Sequence, residues 1–268
     1  MAIESGAPCR SAGAALHLWP VLGWTLLAIF GVSVFNLVDP MIRHDDFPAL
    51  LADPSGFWEK TLHEGRWVNY LWHLRPVVTP AWLNFAAYQA LWAVCAAALA
   101  VVATSQRGAT WFATVLALLI VAAQPATLIS LWFNTLLPGL ALVAIYAVLV
   151  CRLPVRAHRA LLLPFVVATF MAYTTYPLLL LILCLARTER QSLRDLAGLL
   201  TLFVVSFGVA VLVTYTINWQ VHGVFGVPMA AWREATPAQD MAGLTANLAR
   251  VPEVLGLALM RTSLGLGA

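Results

Sequence analysis

The chain has 268 residues, of which 62% are hydrophobic and only 10% charged, with a formal net charge of +3 at neutral pH. A soluble domain carries about 45–50% apolar and about 25% charged residues, so the composition points to the bilayer as principal solvent and to an all-α, polytopic helical membrane protein. The weak net charge and scattered arginines exclude the basic footprint of a nucleic-acid binder.

Residues 1–17 are short and polar, with Arg10. Residues 18–38 form an apolar run of 21 residues, long enough to cross a hydrocarbon core of ~30 Å at ~1.5 Å per residue. A signal peptide would have a shorter apolar region of about 7–15 residues and a small-residue cleavage site, so an uncleaved first span is the better reading. Residues 39–80, extended to 82 at the next span, make a polar loop. Residues 83–103 are the second span and 109–123 the third apolar run. Gln124-Pro125 interrupts that run, and 126–133 continues it obliquely. Residues 134–138 read as a turn before a fourth span at 139–150.

The stretch 161–185 is broken by Tyr173-Thr174-Thr175-Tyr176-Pro177, since a proline and β-branched residues disfavour an unbroken helix. It reads as one kinked span, two short spans, or a hairpin that enters and leaves on one side. The links on either side, Arg152 to Arg159 and Arg187 to Arg194, are both basic, and short basic links mark the cytoplasmic face. Both lie there only if the chain crosses an even number of times between them, which disfavours a single span. Two spans of about 12 residues reach only ~18 Å and need protein or a cavity around their ends. Residues 196–217 are the last clear span. Residues 218–268 read as an external tail with short helices at 239–248 and 253–264, and as the possible start of a truncated C-terminal part. The parity closes at about seven spans, some short or re-entrant, in one membrane domain over 1–268. The N-terminus and the arginine links are then cytoplasmic, and the first loop is extracytoplasmic. Eight basic residues face three acidic ones inside, and seven face nine outside. Cys9, Cys95, Cys151 and Cys184 share no short spacing and read as small apolar packing residues.

The loop at 39–80 holds six of the twelve acidic residues, four of the fifteen basic ones and three of the six histidines. Asp53-Pro54 reads as an N-cap opening a helix over 54–74, interrupted at Gly65, with Trp58, Leu62 and Trp72 near one face at headgroup depth. Asp45 and Asp46 are adjacent, and repulsion between neighbouring carboxylates raises one pKa toward general-base use. Adjacent side chains diverge on a helix, so only one is expected to face a substrate. Asp46 has a competing role as cap of a short helix starting at Phe47-Pro48, which leaves Asp45 the better catalytic candidate; a solvated acidic loop explains both equally well. Arg43, Arg66 and Arg75 suit phosphate, which takes paired guanidinium donors, and salt bridging to Asp53, Glu59 or Glu64 is the ordinary alternative. His44, His63 and His73 have no metal-ligand spacing, so no metal site is assigned.

His44-Asp45-Asp46-Phe47 just past a first span, followed by Glu64-Gly65-Arg66-Trp67 before the second, resembles the GT-C class of membrane glycosyltransferases, most nearly the Gtr-type glucosyltransferases that modify O-antigen. The break at Tyr173 to Pro177 is similar to a polar interruption in that family. The resemblance implies a fold of many helices in a bacterial inner membrane, a polyprenyl-phosphate sugar donor, and a glycan or lipid acceptor approached from the outer face. It implies Asp45, with Asp46 in reserve, as the carboxylate that activates the acceptor hydroxyl, and Arg66 on donor phosphate with Arg43 or Arg75 assisting. His44, Glu64, Trp67, Tyr173 and Tyr176 complete the expected substrate-binding set. No cofactor is assigned, and participation of a divalent cation stays open. Members of the class have more spans than the seven or so expected here, so the chain reads as a fragment or as a reduced member needing a partner. Two other functions compete: a transporter or flippase of lipid-linked sugar, and a non-catalytic assembly protein. The first places ionisable groups inside spans, and the spans here contain almost none.

Overall fold

The computed structural model describes residues 11–43, 46–104, 110–123, 130–187, 192–230, 238 and 240–264. Among them every regular element is helical. Among the described residues three helices are long and apolar enough to cross a membrane: Ala81–Thr104, Ser130–Arg152, which includes a 3-10 turn at Ser130–Trp132, and Leu193–His222. Shorter apolar helices lie at His17–Val32, Thr110–Ala122 and Tyr176–Ala186.

In chain order, α1 is Ser11–Val32 and α2 is Val34–Val38. The first apolar run is thus two helices, broken at Ser33. The loop holds α3 (Phe47–Leu50), α4 (Ser55–Glu64) and α5 (Trp67–His73). Then come α6 (Ala81–Thr104), α7 (Thr110–Ala122) and α8 (Phe133–Arg152). The basic link carries α9 (Val155–Ala160), followed by α10 (Leu162–Phe170), α11 (Tyr176–Ala186), α12 (Leu193–His222) and α13 (Met241–Leu264).

The bundle has two distinguishable ends. At one, His17 Nδ1 lies 3.0 Å from Thr110 Oγ1, Arg152 lies over the Trp19 ring, and Arg159 pairs with Asp195 through two contacts of 2.7 and 2.8 Å. This is the arginine end. At the other, the loop helices pack over α8 and α12, and Asn84 Nδ2 donates to Asn134 Oδ1 at 2.8 Å. This is the loop end.

The core follows from small residues. α6 turns Ala93, Ala96, Ala97 and Ala100 inward, all essentially fully buried, and its interface with α8 is the most extensive in the molecule. Alanine lets two backbones approach closely, so van der Waals contact replaces the hydrophobic effect that lipid cannot supply. α12 instead leaves Val204 and Leu212 66% and 58% exposed. A soluble monomer rarely leaves such a surface open, whereas hydrocarbon covers it without cost.

The ambiguous stretch at 161–185 is a hairpin of two short helices. Tyr176 Oη donates to the Leu136 carbonyl at 3.3 Å, while Cys184 Sγ lies 3.0 Å from Tyr146 Oη, so α11 runs alongside α8 in the same direction. α10 runs the opposite way, with Phe165 packed on Tyr146 and Met171 reaching the loop. Arg159, in the first flanking link, pairs with Asp195, just past the second, so both flanks of the hairpin lie at the arginine end; residues 188–191 of the second link fall outside the described residues. The helices have 9 and 11 residues, and the loop comes down to meet them: the Val68 N–H donates to the Met171 carbonyl at 3.1 Å.

Two expectations from the sequence are corrected. Residues 134–138 are not a turn but the first turns of α8, with Pro138 inside the helix. A proline there removes one N–H bond, a loss that neighbouring packing tolerates in a buried helix. The interruption read at Gly65 divides 54–74 into two helices, because Gly65 adopts φ +68° and ends α4 in a left-handed cap. The tail forms one helix, α13, that continues through Pro252 instead of two. The oblique continuation at 126–133 falls mostly outside the described residues.

Candidate functional site at the loop end

Asp46 organises this end. It is fully buried, and its carboxylate accepts the backbone N–H of Asn134 at 2.9 Å and of Thr135 at 2.6 Å. Those are the second and third residues of α8. The expected capping role is therefore real, but it serves another helix: the side chain makes no cap bond to α3. A carboxylate at this position meets the positive end of the α8 dipole and satisfies two otherwise orphaned donors. Burial raises the Asp46 pKa, and the bonds from Thr135 and Asn134 oppose that rise. Two N–H donors aimed at two oxygens favour the ionised form.

Asn134 ties this cap to α6. Its Oδ1 accepts from Asn84, whose own Oδ1 accepts from the Thr79 hydroxyl at 2.5 Å. Tyr88, also on α6, is buried; on α8, Thr135 gives its N–H to Asp46 while the adjacent Leu136 carbonyl accepts from Tyr176 Oη at 3.3 Å. Asp46 is thus held next to the tip of the hairpin, as is Arg66, by a separate route.

Arg66 forms an ion pair with Glu64 at 2.5 Å, both side chains being mostly buried, and its guanidinium lies over the Tyr173 ring at 4.9 Å. Tyr173 and Tyr176 face one another with ring centroids 5.5 Å apart. Gly65 places Arg66 here. Its positive φ suits glycine, and an added Cβ would come within 2.6 Å of Thr214 Cγ2 on α12. Gly139 does the same for Tyr176, because a Cβ there would lie 2.6 Å from the tyrosine ring and 2.8 Å from Ala172.

Trp67 is buried and donates its indole N–H to Asn218 Oδ1 at 2.8 Å, so it fastens the loop to α12. The Asn218 Nδ2 group donates to the Leu62 and Gly226 carbonyls. Next to it, the Thr61 hydroxyl and His222 Nε2 are 2.8 Å apart, Trp58 and Trp67 pack against the His222 ring, and Tyr70 packs on both tryptophans. Trp58 and Trp72 remain about 40% exposed, consistent with aromatic side chains at headgroup depth.

Of the expected substrate residues, Glu64, Arg66, Tyr173 and Tyr176 come together, with Asp46 close by. Arg43 is exposed and stacks over Trp132 at 5.7 Å, at the start of α8. Arg75 does not join the cluster. It donates to the Trp72 and Ala49 carbonyls and braces α3 against α5. His44 and Asp45 lie outside the described residues. His73 is buried, stacked on Phe57 at 3.9 Å, and burial pushes its pKa down to about 4. Among the described residues no three His, Cys, Asp or Glu side chains group as metal ligands.

Sequence reading missed Asn84, Tyr88, Asn134 and Asn218. Each is a buried polar residue near the end of an apolar run, and that location was the available signal, since polar groups inside a bilayer are retained for a partner. Compared with family models, with curated proteins and with solved structures, the chain matches none.

Proposed function

We propose that the chain is a membrane glycosyltransferase that moves a sugar from a polyprenyl-phosphate donor to an extracytoplasmic glycan or lipid acceptor. The observation that carries this reading is the meeting of Arg66 from the first loop with Tyr173 and Tyr176 at the hairpin tip. A lipid-linked sugar keeps its tail in hydrocarbon and its phosphate at the interface. A protein that acts on it needs a cation at the rim of an apolar bundle, aromatic surface for the sugar, and a carboxylate within reach. Arg66 supplies the cation, with Glu64 as its resting counter-ion. Tyr173, which is only partly buried, supplies the stacking surface, and Tyr176, buried with its hydroxyl on the Leu136 carbonyl, holds it in place. Fixed groups in a partly dry site need little reorganisation as charge develops.

In this reading Asp45 takes the acceptor proton, and Asp46 is the positioning residue next to it. Asp46 already spends both oxygens on α8, and for that reason this reading gives the base role to Asp45. Arg43, over Trp132, stands where it can meet the donor phosphate from the α8 side. The loop end is then extracytoplasmic in a bacterial inner membrane, and the arginine end cytoplasmic.

The test is direct. Membranes carrying the full chain receive a polyprenyl-phosphate sugar labelled in the sugar, and label is followed into envelope glycan and lipid. Transfer above control membranes supports the reading. Normal insertion without transfer to any acceptor refutes it.

A further inference from the structure

The arginine end holds a second polar cluster that the proposed chemistry does not use. Arg187, just past α11, is 6% exposed, and His158, on α9, is fully buried. Tyr146 brings their segments together: its hydroxyl donates to the His158 carbonyl at 3.0 Å and lies 3.0 Å from Cys184 Sγ. Arg187 follows Cys184 by one helical turn, and its charge acts on the His158 ring.

Four donor or acceptor atoms are left over here. Among the described residues, Nε and Nη2 of Arg187 and both ring nitrogens of His158 have no hydrogen-bond partner. In a guanidinium, the Nε–H and one Nη–H leave the same edge in parallel and match two oxygens of one anion. That edge is the unpartnered one. The neighbouring cations are engaged elsewhere: Arg159 forks onto Asp195, and Arg152 lies over Trp19. A buried cation left unpaired is costly, so an anion at this edge would stabilise the fold.

We propose that Arg187 and His158 form a buried site for one phosphate group, provided either by an anionic lipid headgroup or by a soluble phosphate. A planar carboxylate would use both its oxygens on the arginine edge. Phosphate keeps a further oxygen for a His158 N–H.

The full chain in neutral detergent is titrated with inorganic phosphate, with dioleoylphosphatidylglycerol and with dioleoylphosphatidylcholine, and its thermal midpoint is followed. Phosphate or the anionic lipid raises the midpoint, and the zwitterionic lipid raises it less. A response to phosphate marks a soluble anion, and a response to the anionic lipid alone marks a headgroup. Arg187→Met abolishes the response. His158→Gln, which keeps the arginine edge, weakens affinity by about ten-fold, the worth of one hydrogen bond to a charged group, and serves if Arg187→Met does not insert. A wild type that responds to neither anion, or variants that respond as the wild type does, overturns the site.

Discussion

The Arg66 guanidinium lies over the face of the Tyr173 ring, 4.9 Å from its centroid, and joins the first loop to the tip of a hairpin more than one hundred residues later in the chain. Glu64 holds the same guanidinium at 2.5 Å. Under the proposed function, an arriving donor phosphate competes with Glu64 for Arg66. Glu64→Gln removes the competitor and keeps the shape. Partly exposed ion pairs are worth ~0.5–1 kcal/mol, so the KM for the lipid-phosphate donor falls about two- to five-fold. A KM that rises would show that Glu64 itself binds the donor.

Asp46 sets a second expectation. Asparagine can accept one N–H of α8 but turns its amide donors toward the other. Asp46→Asn therefore costs about 1–3 kcal/mol, the penalty of an unmet buried group. Thermal or denaturant unfolding in detergent measures it. If the variant is as stable as the wild type and yet inactive, Asp46 acts in the chemistry instead of positioning α8.

Gly139→Ala tests the fit of the hairpin. The new methyl meets the Tyr176 ring and Ala172, and overpacking of this kind costs about 1–3 kcal/mol. Tyr176→Leu in the same chain clears room and recovers part of that loss. Equal stability of Gly139→Ala and the wild type would mean that α8 and the hairpin do not touch as described.

The buried histidines predict acid sensitivity. Burial lowers the pKa of His73 and of His158 to about 4, from 6.5. Between those values the unfolded chain binds protons that the folded chain does not, so stability is full above pH 6.5 and is lost as pH falls toward 4. At ~1.4 kcal/mol per pKa unit the loss reaches a few kcal/mol for each histidine. His73→Phe flattens the lower part of the profile, and a slope that persists unchanged would assign the acid sensitivity elsewhere. Asp46 works in the opposite sense, because burial raises its pKa and protonation relieves that cost as pH falls.

What the sequence made legible was whatever a single segment decides. Residues 83–103 read as a span and form a helix at Ala81–Thr104 because a long apolar run has one solution in lipid. Gly65 read as an interruption and is one, since its backbone enters the left-handed region. The tyrosine and proline break at 173–177 left three readings, and the hairpin was selected by contacts from elsewhere: Gly139 beneath Tyr176, and the Val68 N–H on Met171. Asp46 was weighed as the cap of its own helix. Its true partner, the Asn134 N–H, lies 88 residues later, and no local pattern announces a cap at that distance. Asn134 and Pro138 suggested a turn for the same reason, because their helix start is fixed by that remote carboxylate.

The central claim, that the loop end carries a carboxylate and a guanidinium serving a lipid-phosphate sugar, is tested most directly by one comparison. Sugar transfer from labelled polyprenyl-phosphate donor is measured for the wild type, Asp45→Asn and Arg66→Ala, with membrane insertion followed in parallel. The account predicts that all three insert, that Asp45→Asn loses at least about one hundred-fold in rate, as removal of a general base does, and that Arg66→Ala loses donor affinity. Asp45→Asn transferring at the wild-type rate would contradict it.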